Sequence, residues 1–304
     1  MPASPIAFTT PATATPWQRW VVFSPFARIA FFAALYIVLI KLVSAGVDAM
    51  DIVGPGAPRL SRAFGILAMQ LIPAVAAYTV LVKAIERRPM RELAAADAPT
   101  GGLAGVVLGA LIMSAVVLVL WLAGSYHVTG TNPSVNWLPA VLTTGLGAGI
   151  GEEIVTRGVL FRAVEEGLGT WWALAISALF FGAAHIFNPG ATPWISLAIA
   201  IEAGLLLALL YHVTRSLWPC IGLHAAWNVM QGSVYGIPVS GTEVHGWLVS
   251  TRSGPEWLSG GAFGAEASVV TVILCSGCSA LLLIVALRRG TIIPPVWRRR
   301  HAAA

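Results

Sequence analysis

The strongest constraint in this sequence is a series of apolar stretches about as long as a bilayer is thick. Crossing a hydrocarbon core of ~30 Å takes roughly 20 residues of helix. Eight windows meet that need: 27–46, 63–85, 102–124, 139–161, 171–187, 194–213, 217–236 and 267–287. Lipid offers no partner to a backbone N–H or C=O, so each window has to close its own hydrogen bonds as a helix. Composition agrees, since 57% of the 304 residues are hydrophobic and only 10% are charged. The expected fold is therefore an all-α, polytopic membrane helix bundle of about eight transmembrane helices.

The basic residues suggest an orientation, because Lys and Arg collect in cytoplasmic loops. With a cytoplasmic N-terminus, thirteen of the eighteen fall on that side: Arg19, Arg28, Lys83, Arg87, Arg88, Arg91, Arg162, Arg215, Arg288, Arg289, Arg298, Arg299 and Arg300. The net charge of +5 is thus a topology signal, helped by anionic headgroups. These residues flank spans rather than forming a patch interleaved with aromatics, so no nucleic-acid partner is expected. The opening "MPASPIAFTTPATATPWQRW" has no apolar core with a cleavage site, and is expected to be a cytoplasmic tail rather than a signal peptide. Trp17, Trp20, Phe23 and Phe26 next to Arg19 and Arg28 have the look of a headgroup-level anchor. Residues 237–265 are rich in Gly, Pro and Ser and are expected to fold over the external face. Cys220, Cys275 and Cys278 all fall in spans, so they are read as small packing residues and not as a disulfide or metal framework.

One window breaks the apolar pattern. "GIGEEIVTRGVLF" puts Glu152, Glu153 and Arg157 inside the fourth span. Each such group costs about 2.5–3.5 kcal/mol on the insertion scale unless it is compensated. Glu153 and Arg157 are four residues apart and stack on one helix face as an ion pair. Glu152 points about 100° away and keeps no arginine, which leaves one carboxylate free to act. The glycines Gly145, Gly147, Gly149 and Gly151 just before it thin the helix so that neighbours approach closely.

Two more polar clusters lie in neighbouring windows. "FFGAAHIFNPG" sets His185 four residues after Phe181, and "GLHAAWNVMQG" sets His224 four residues before Asn228, each pair on one helix face. If the fourth and fifth helices form a hairpin turning at Gly167–Gly169, Glu152 and His185 sit at matching depth. His224 meets them only if that hairpin protrudes beyond the turn near Arg215.

Together, E-E-x-x-x-R, F-x-x-x-H and H-x-x-x-N, in that order, resemble the type II CAAX prenyl endopeptidase and bacteriocin-processing family, also called CPBP or Abi. The matching residues are Glu152, Glu153 and Arg157, then Phe181 and His185, then His224 and Asn228. "SGGAFGAEAS" near 259–268 resembles a feature of its bacterial branch. The resemblance implies an intramembrane glutamic endopeptidase acting on a membrane-associated peptide or protein. In it Glu152 is the general base, His185 orients or shares the water proton, and His224 with Asn228 stabilises the oxyanion; Glu153 and Arg157 support them. It divides the chain into a tail and anchor (1–26), three membrane helices (27–136), a catalytic core (137–236), an external loop (237–265), and a last helix with a basic tail (266–304).

No cofactor and no metal are expected: H-E-x-x-H is absent, and Asn228 beside His224 suits an oxyanion better than zinc. A catalytic zinc on Glu152, His185 and His224 is the competing arrangement. Two non-proteolytic readings also stand, a membrane scaffold or immunity protein using the same cluster, and a proton-coupled transporter, for which Glu202 in the sixth window is the most favourable residue. The Ala-, Gly- and Arg-rich composition points to a bacterial plasma membrane, where a prenylated substrate is not implied.

Overall fold

The computed structural model describes residues 6–301. Residues 1–5 and 302–304, the outermost parts of the two expected tails, lie outside the described residues. After a short helix, Pro16–Val21, come eight main helices: α1 (Pro25–Ala49), α2 (Arg59–Ile85), α3 (Ala98–Leu122), α4 (137–168), α5 (Thr170–Phe187), α6 (Pro193–Thr214), α7 (218–234) and α8 (Val269–Arg288). All but α4 and α7 are long and apolar enough to cross a membrane. The other two are helical where spans were expected, but α4 carries the charges and α7 is short. The chain is an all-α, multi-pass membrane protein in which six spans stand by length and composition.

Local chemistry sets several helix starts. Ser24, Thr192 and Ser268 cap α1, α6 and α8 by accepting from Ala27, Ile195 and Val270 backbone N–H groups. Pro25 and Pro193 follow at the first helical position, where the missing N–H costs nothing. Trp17, Trp20 and Phe26 are exposed, whereas Phe23 is half-buried against Phe8, ring centroids 6.0 Å apart.

Hydropathy gives no sign of one element. Tyr126–Thr131 (β1) pairs antiparallel with Leu248–Arg252 (β2), with a register shift between Val128 and Gly130. This ribbon brings part of the 237–265 loop over the ends of α3 and α7. Tyr126 Oη and Ser250 Oγ both donate to the Tyr235 carbonyl, which pins it there.

Bundle packing depends on glycines at close approaches. A Cβ on Gly105 would lie 2.1 Å from the Pro219 carbonyl oxygen, one on Gly109 2.4 Å from that of Leu223, and one on Gly222 2.2 Å from that of Gly102. The α3–α7 seam is therefore backbone against backbone, and it fixes the helix that carries His224. On α4 the alternating glycines serve two neighbours. Gly145 and Gly149 face Val229 and Ala225 of α7, while Gly147 and Gly151 face Gln70 of α2.

At the end of the bundle where α4 turns into α5, buried charges tie the helices together. Glu86, just beyond α2, takes Arg28 of α1, Arg162 of α4 at 2.9 Å, and Arg88. Glu165 takes His212 at 2.8 Å and Arg215. Arg162 and Glu165 are turned inward here, where opposite charge compensates burial. Burial alone would push the Glu86 carboxyl up, but Arg162, Arg88 and Arg28 outweigh it and hold it below its ordinary value. Glu165 is likewise lowered, its burial outweighed by hydrogen bonds from His212 and Arg215.

Two outcomes follow for purified protein in micelles. Depressed carboxylate pKa values mean that the unfolded chain takes up protons first as pH falls. The stability these groups supply is thus complete above the ordinary value of ~4.3 and is lost as pH drops through their folded values. Melting temperature should fall below about pH 4, and the parent should lose more than Glu86→Gln does over that range. At neutral pH Glu86→Gln leaves three guanidiniums around a neutral amide and should cost ~3–5 kcal/mol. In the seam, Gly109→Ala should cost ~1–3 kcal/mol through overpacking, against little effect for Gly277→Ala, whose added methyl meets nothing.

Candidate active site

The polar residues of four helices converge midway along the bundle, and the backbone is irregular where they do. α4 winds into wider, π-type turns over Val141–Gly147 and Ile154–Phe161, on either side of the two glutamates. α6 does the same over Ala200–Leu205. Such turns free carbonyls from the i→i−4 ladder and are common at functional sites.

Arg157 uses what those turns expose. Its Nη2 donates to the carbonyls of Ala203 (3.1 Å) and Gly204 (2.9 Å) on α6. Its Nη1 donates to Glu153 Oε1 and to Thr156 Oγ1, both at 2.9 Å. The guanidinium also lies over the Phe181 ring of α5, 4.6 Å from the centroid. A single side chain thus joins α4, α5 and α6.

Glu153 is wholly buried, and Oε1 accepts twice, from Arg157 and from His224 Nδ1 at 3.0 Å. The pairing with Arg157 is as the four-residue spacing indicates, but the spacing contains no hint of His224. The α3–α7 seam supplies the missing offset, bringing His224 to the depth of the glutamates. His224 Nε2 lies 3.9 Å from Glu152 Oε2.

Glu152 differs from its neighbour in every respect that matters chemically. Its side chain is 42% exposed. Among the described residues its carboxylate accepts no hydrogen bond. It opens into a cavity of about 260 Å³ lined also by Tyr36 of α1, Thr156, Phe181, His185 and Asn188.

His185 begins the 3₁₀ turn that ends α5. Its Nδ1 is 2.8 Å from the Phe181 carbonyl, which can only accept, so Nδ1 carries the hydrogen and Nε2 is the free nitrogen. Phe181 packs against both imidazoles, with ring centroids 4.8 Å from His185 and 6.0 Å from His224. Asn228 donates from Nδ2 to the Thr144 carbonyl at 2.9 Å, which uses one of its two amide hydrogens.

The seven residues singled out by sequence therefore occupy one contiguous site. Three that sequence reasoning did not assign join them. Tyr36 shares the open cavity with Glu152. Ser240 and Glu266 line a smaller one with His185, His224, Asn228 and Glu202. Glu266 lies within "SGGAFGAEAS", the stretch already conspicuous by its resemblance, whereas Tyr36 sits in an apolar helix with no distinguishing pattern around it. Among the described residues, no group of three or more His, Cys, Asp or Glu side chains is arranged to hold a metal ion.

Residues 134–230, about a third of the chain, match the family model described as Type II CAAX prenyl endopeptidase Rce1-like. The matched stretch holds Glu152, Glu153, Arg157, Phe181, His185, His224 and Asn228, and excludes Tyr36, Ser240 and Glu266. No curated protein and no solved structure matches the chain.

Proposed function

With residues 134–230 forming an Rce1-like domain of the CPBP type, we propose that this chain is an intramembrane glutamic endopeptidase that hydrolyses a peptide bond of a membrane-associated peptide or protein. At family level the domain supports a CAAX-protease-like membrane endopeptidase. The observation that carries the finer reading is the contrast between the two glutamates, one wholly buried and tied through Oε1 to Arg157 and His224, the other without an arginine, 3.9 Å from His224 Nε2 and open to a cavity it shares with His185.

In this reading Glu152 takes a proton from water while the lone pair of His185 Nε2, turned outward by the Nδ1–H bond to Phe181, accepts that water's second hydrogen. The oxygen attacks the scissile carbonyl carbon. His224 and Asn228 donate to the oxygen that becomes negative, and the proton held by Glu152 passes to the leaving amide nitrogen as the C–N bond breaks. Because His224 Nδ1 is occupied by Glu153, its donor toward the substrate is Nε2–H, so it works as an imidazolium. Glu153 and Glu152 face that ring and supply the compensating negative charge. Asn228 keeps its second amide hydrogen for the same oxygen. No step passes through a metal, and cleavage should persist after exhaustive chelation; loss on chelation with recovery on adding zinc would make Glu152, His185 and His224 ligands instead.

The matched variants separate the roles. Glu152→Gln cannot accept the proton and should lower turnover by ~10²–10⁴ while melting temperature and substrate binding stay near the parent. Asn228→Ala should lower turnover by ~10²–10³ with little change in affinity. Glu153→Gln should damage melting temperature as much as rate, since it strands Arg157. Substrates can be found by mapping N-terminal peptides in membranes with active and Glu152→Gln protein. A Glu152→Gln chain that cleaves like the parent, with Glu153→Gln folded and dead, would exchange the roles of the two glutamates, whereas one that keeps every phenotype without cleavage would favour a scaffold. The chain is further proposed to lie in a bacterial plasma membrane with both termini cytoplasmic. Reporter fusions at Gly241 and at the C-terminus should therefore report opposite compartments.

A further inference from the structure

Phe181 and His185 form a wall between two cavities. On one side is the open cavity of Glu152; on the other is a smaller one of about 30 Å³, with room for a single water molecule. The smaller one is lined by Glu202 of α6, His224 and Asn228 of α7, Ser240 of the 237–265 loop, and Glu266 of the 3₁₀ turn just before α8. Two carboxyl groups thus share a narrow space next to an imidazole assigned a proton-accepting role. The hydrolytic mechanism above uses neither.

The two acids are not equivalent. Glu266 is buried and well supplied with donors: Ser240 N–H reaches Oε2 at 2.7 Å and Ser240 Oγ reaches Oε1 at 3.1 Å. Glu202 has only the Cys275 thiol, 3.9 Å from Oε2, which is a weak donor. Donors favour the ionised form, and like charges in so small a space oppose a second one, so Glu266 is the acid placed to carry the charge. Its attachment also runs back to the histidine. Asn188, on the turn that begins at His185, donates from Nδ2 to the Ser240 carbonyl at 3.2 Å. The 237–265 loop, the turn before α8 and the end of α5 are therefore locked together around His185.

We propose that Glu266 is a positioning residue that acts through His185, its carboxylate stabilising the imidazolium that forms when Nε2 takes up a proton. The proposal rests on the reading of His185 as a proton acceptor in hydrolysis, and it makes the 237–265 loop a part of the active site. Burial pushes the Glu266 carboxyl above its ordinary value, while the Ser240 N–H and the His185 imidazole pull it back. The other titratable groups facing His185 are Glu152 and Tyr36 across the open cavity, and Glu202 and His224 across the smaller one.

The test is a titration of the full chain in micelles, labelled with ¹⁵N-histidine and assigned with His185→Gln. Glu266→Gln should lower the His185 midpoint by ~1 unit, as loss of a nearby opposite charge does, and leave exposed His127 unmoved. Glu266→Asp should restore part of the shift. Should Glu266→Gln fail to fold, Ser240→Ala, which removes one donor from Glu266 and keeps the backbone N–H, should move the midpoint in the same direction by less. An unmoved His185 midpoint in folded Glu266→Gln, or in Ser240→Ala where that variant fails to fold, overturns the proposal. No cleavage is read, so the outcome is separate from that of the protease reading. Loss of cleavage in Glu152→Gln with an unmoved His185 would leave that reading standing and remove Glu266 from it.

Discussion

The site depends on one buried cation with a particular set of partners. An arginine in the middle of an apolar bundle needs its charge compensated and most of its donors occupied. Arg157 sets its charge against the Glu153 carboxylate and the face of Phe181, and its two Nη groups donate to that carboxylate, the Thr156 hydroxyl and two carbonyls in the wide turn of α6, while Nε is without a partner among the described residues. Because each partner comes from a definite place on α4, α5 or α6, meeting the electrostatic demand also sets the relative depth of those helices. Glu153 then extends the arrangement to α7 through His224. What remains is a second glutamate, Glu152, adjacent in sequence and turned to the other side of the helix, with no arginine beside it and only His224 Nε2 at 3.9 Å. The chemistry assigned to Glu152 follows from that division of labour.

Irregular backbone and close packing make the arrangement possible. The irregular turn of α6 presents the Ala203 and Gly204 carbonyls to Arg157, the former while also accepting from the Leu206 N–H. A bulkier α3–α7 seam would hold α7 away and break the His224 contact. The glycines along α3, α4 and α7 thus shape the site without lining it. They let backbones meet, and the meeting sets where two imidazoles stand relative to two carboxylates. The 237–265 loop and the turn before α8 close the construction from another side, with Ser240 and Glu266 lining the smaller cavity beside His185 and His224.

Much of this is written in the sequence, because membrane helices obey strict local rules. Apolar length marks six of the eight main helices as spans, the four-residue spacing pairs Glu153 with Arg157, and the hairpin turning at Gly167–Gly169 brings Glu152 and His185 to one cavity. The rest depends on relations that single elements do not carry. The depth of His224 is set by the α3–α7 seam, and nothing within "GLHAAWNVMQG" reports it. The β1–β2 ribbon needs a partner more than a hundred residues away. Arg162 and Glu165 look like surface charges until Glu86, His212 and Arg215 are brought to them by tertiary packing. Tyr36 joins the site from an apolar helix, where one tyrosine is indistinguishable from a packing residue.

The central claim is that Arg157 belongs to Glu153 and not to Glu152, and a double-mutant cycle in thermal or denaturant unfolding tests it most directly. The variants are Glu153→Gln, Arg157→Met and their combination, with Glu152→Gln and its combination with Arg157→Met as the parallel cycle. Each single change to the buried pair should cost several kcal/mol, on the order of 3–5, because it strands the opposite charge. The double should cost clearly less than their sum. The Glu152 cycle should be additive within about 0.5 kcal/mol. Additivity between Glu153 and Arg157, or strong coupling between Glu152 and Arg157, would contradict the account.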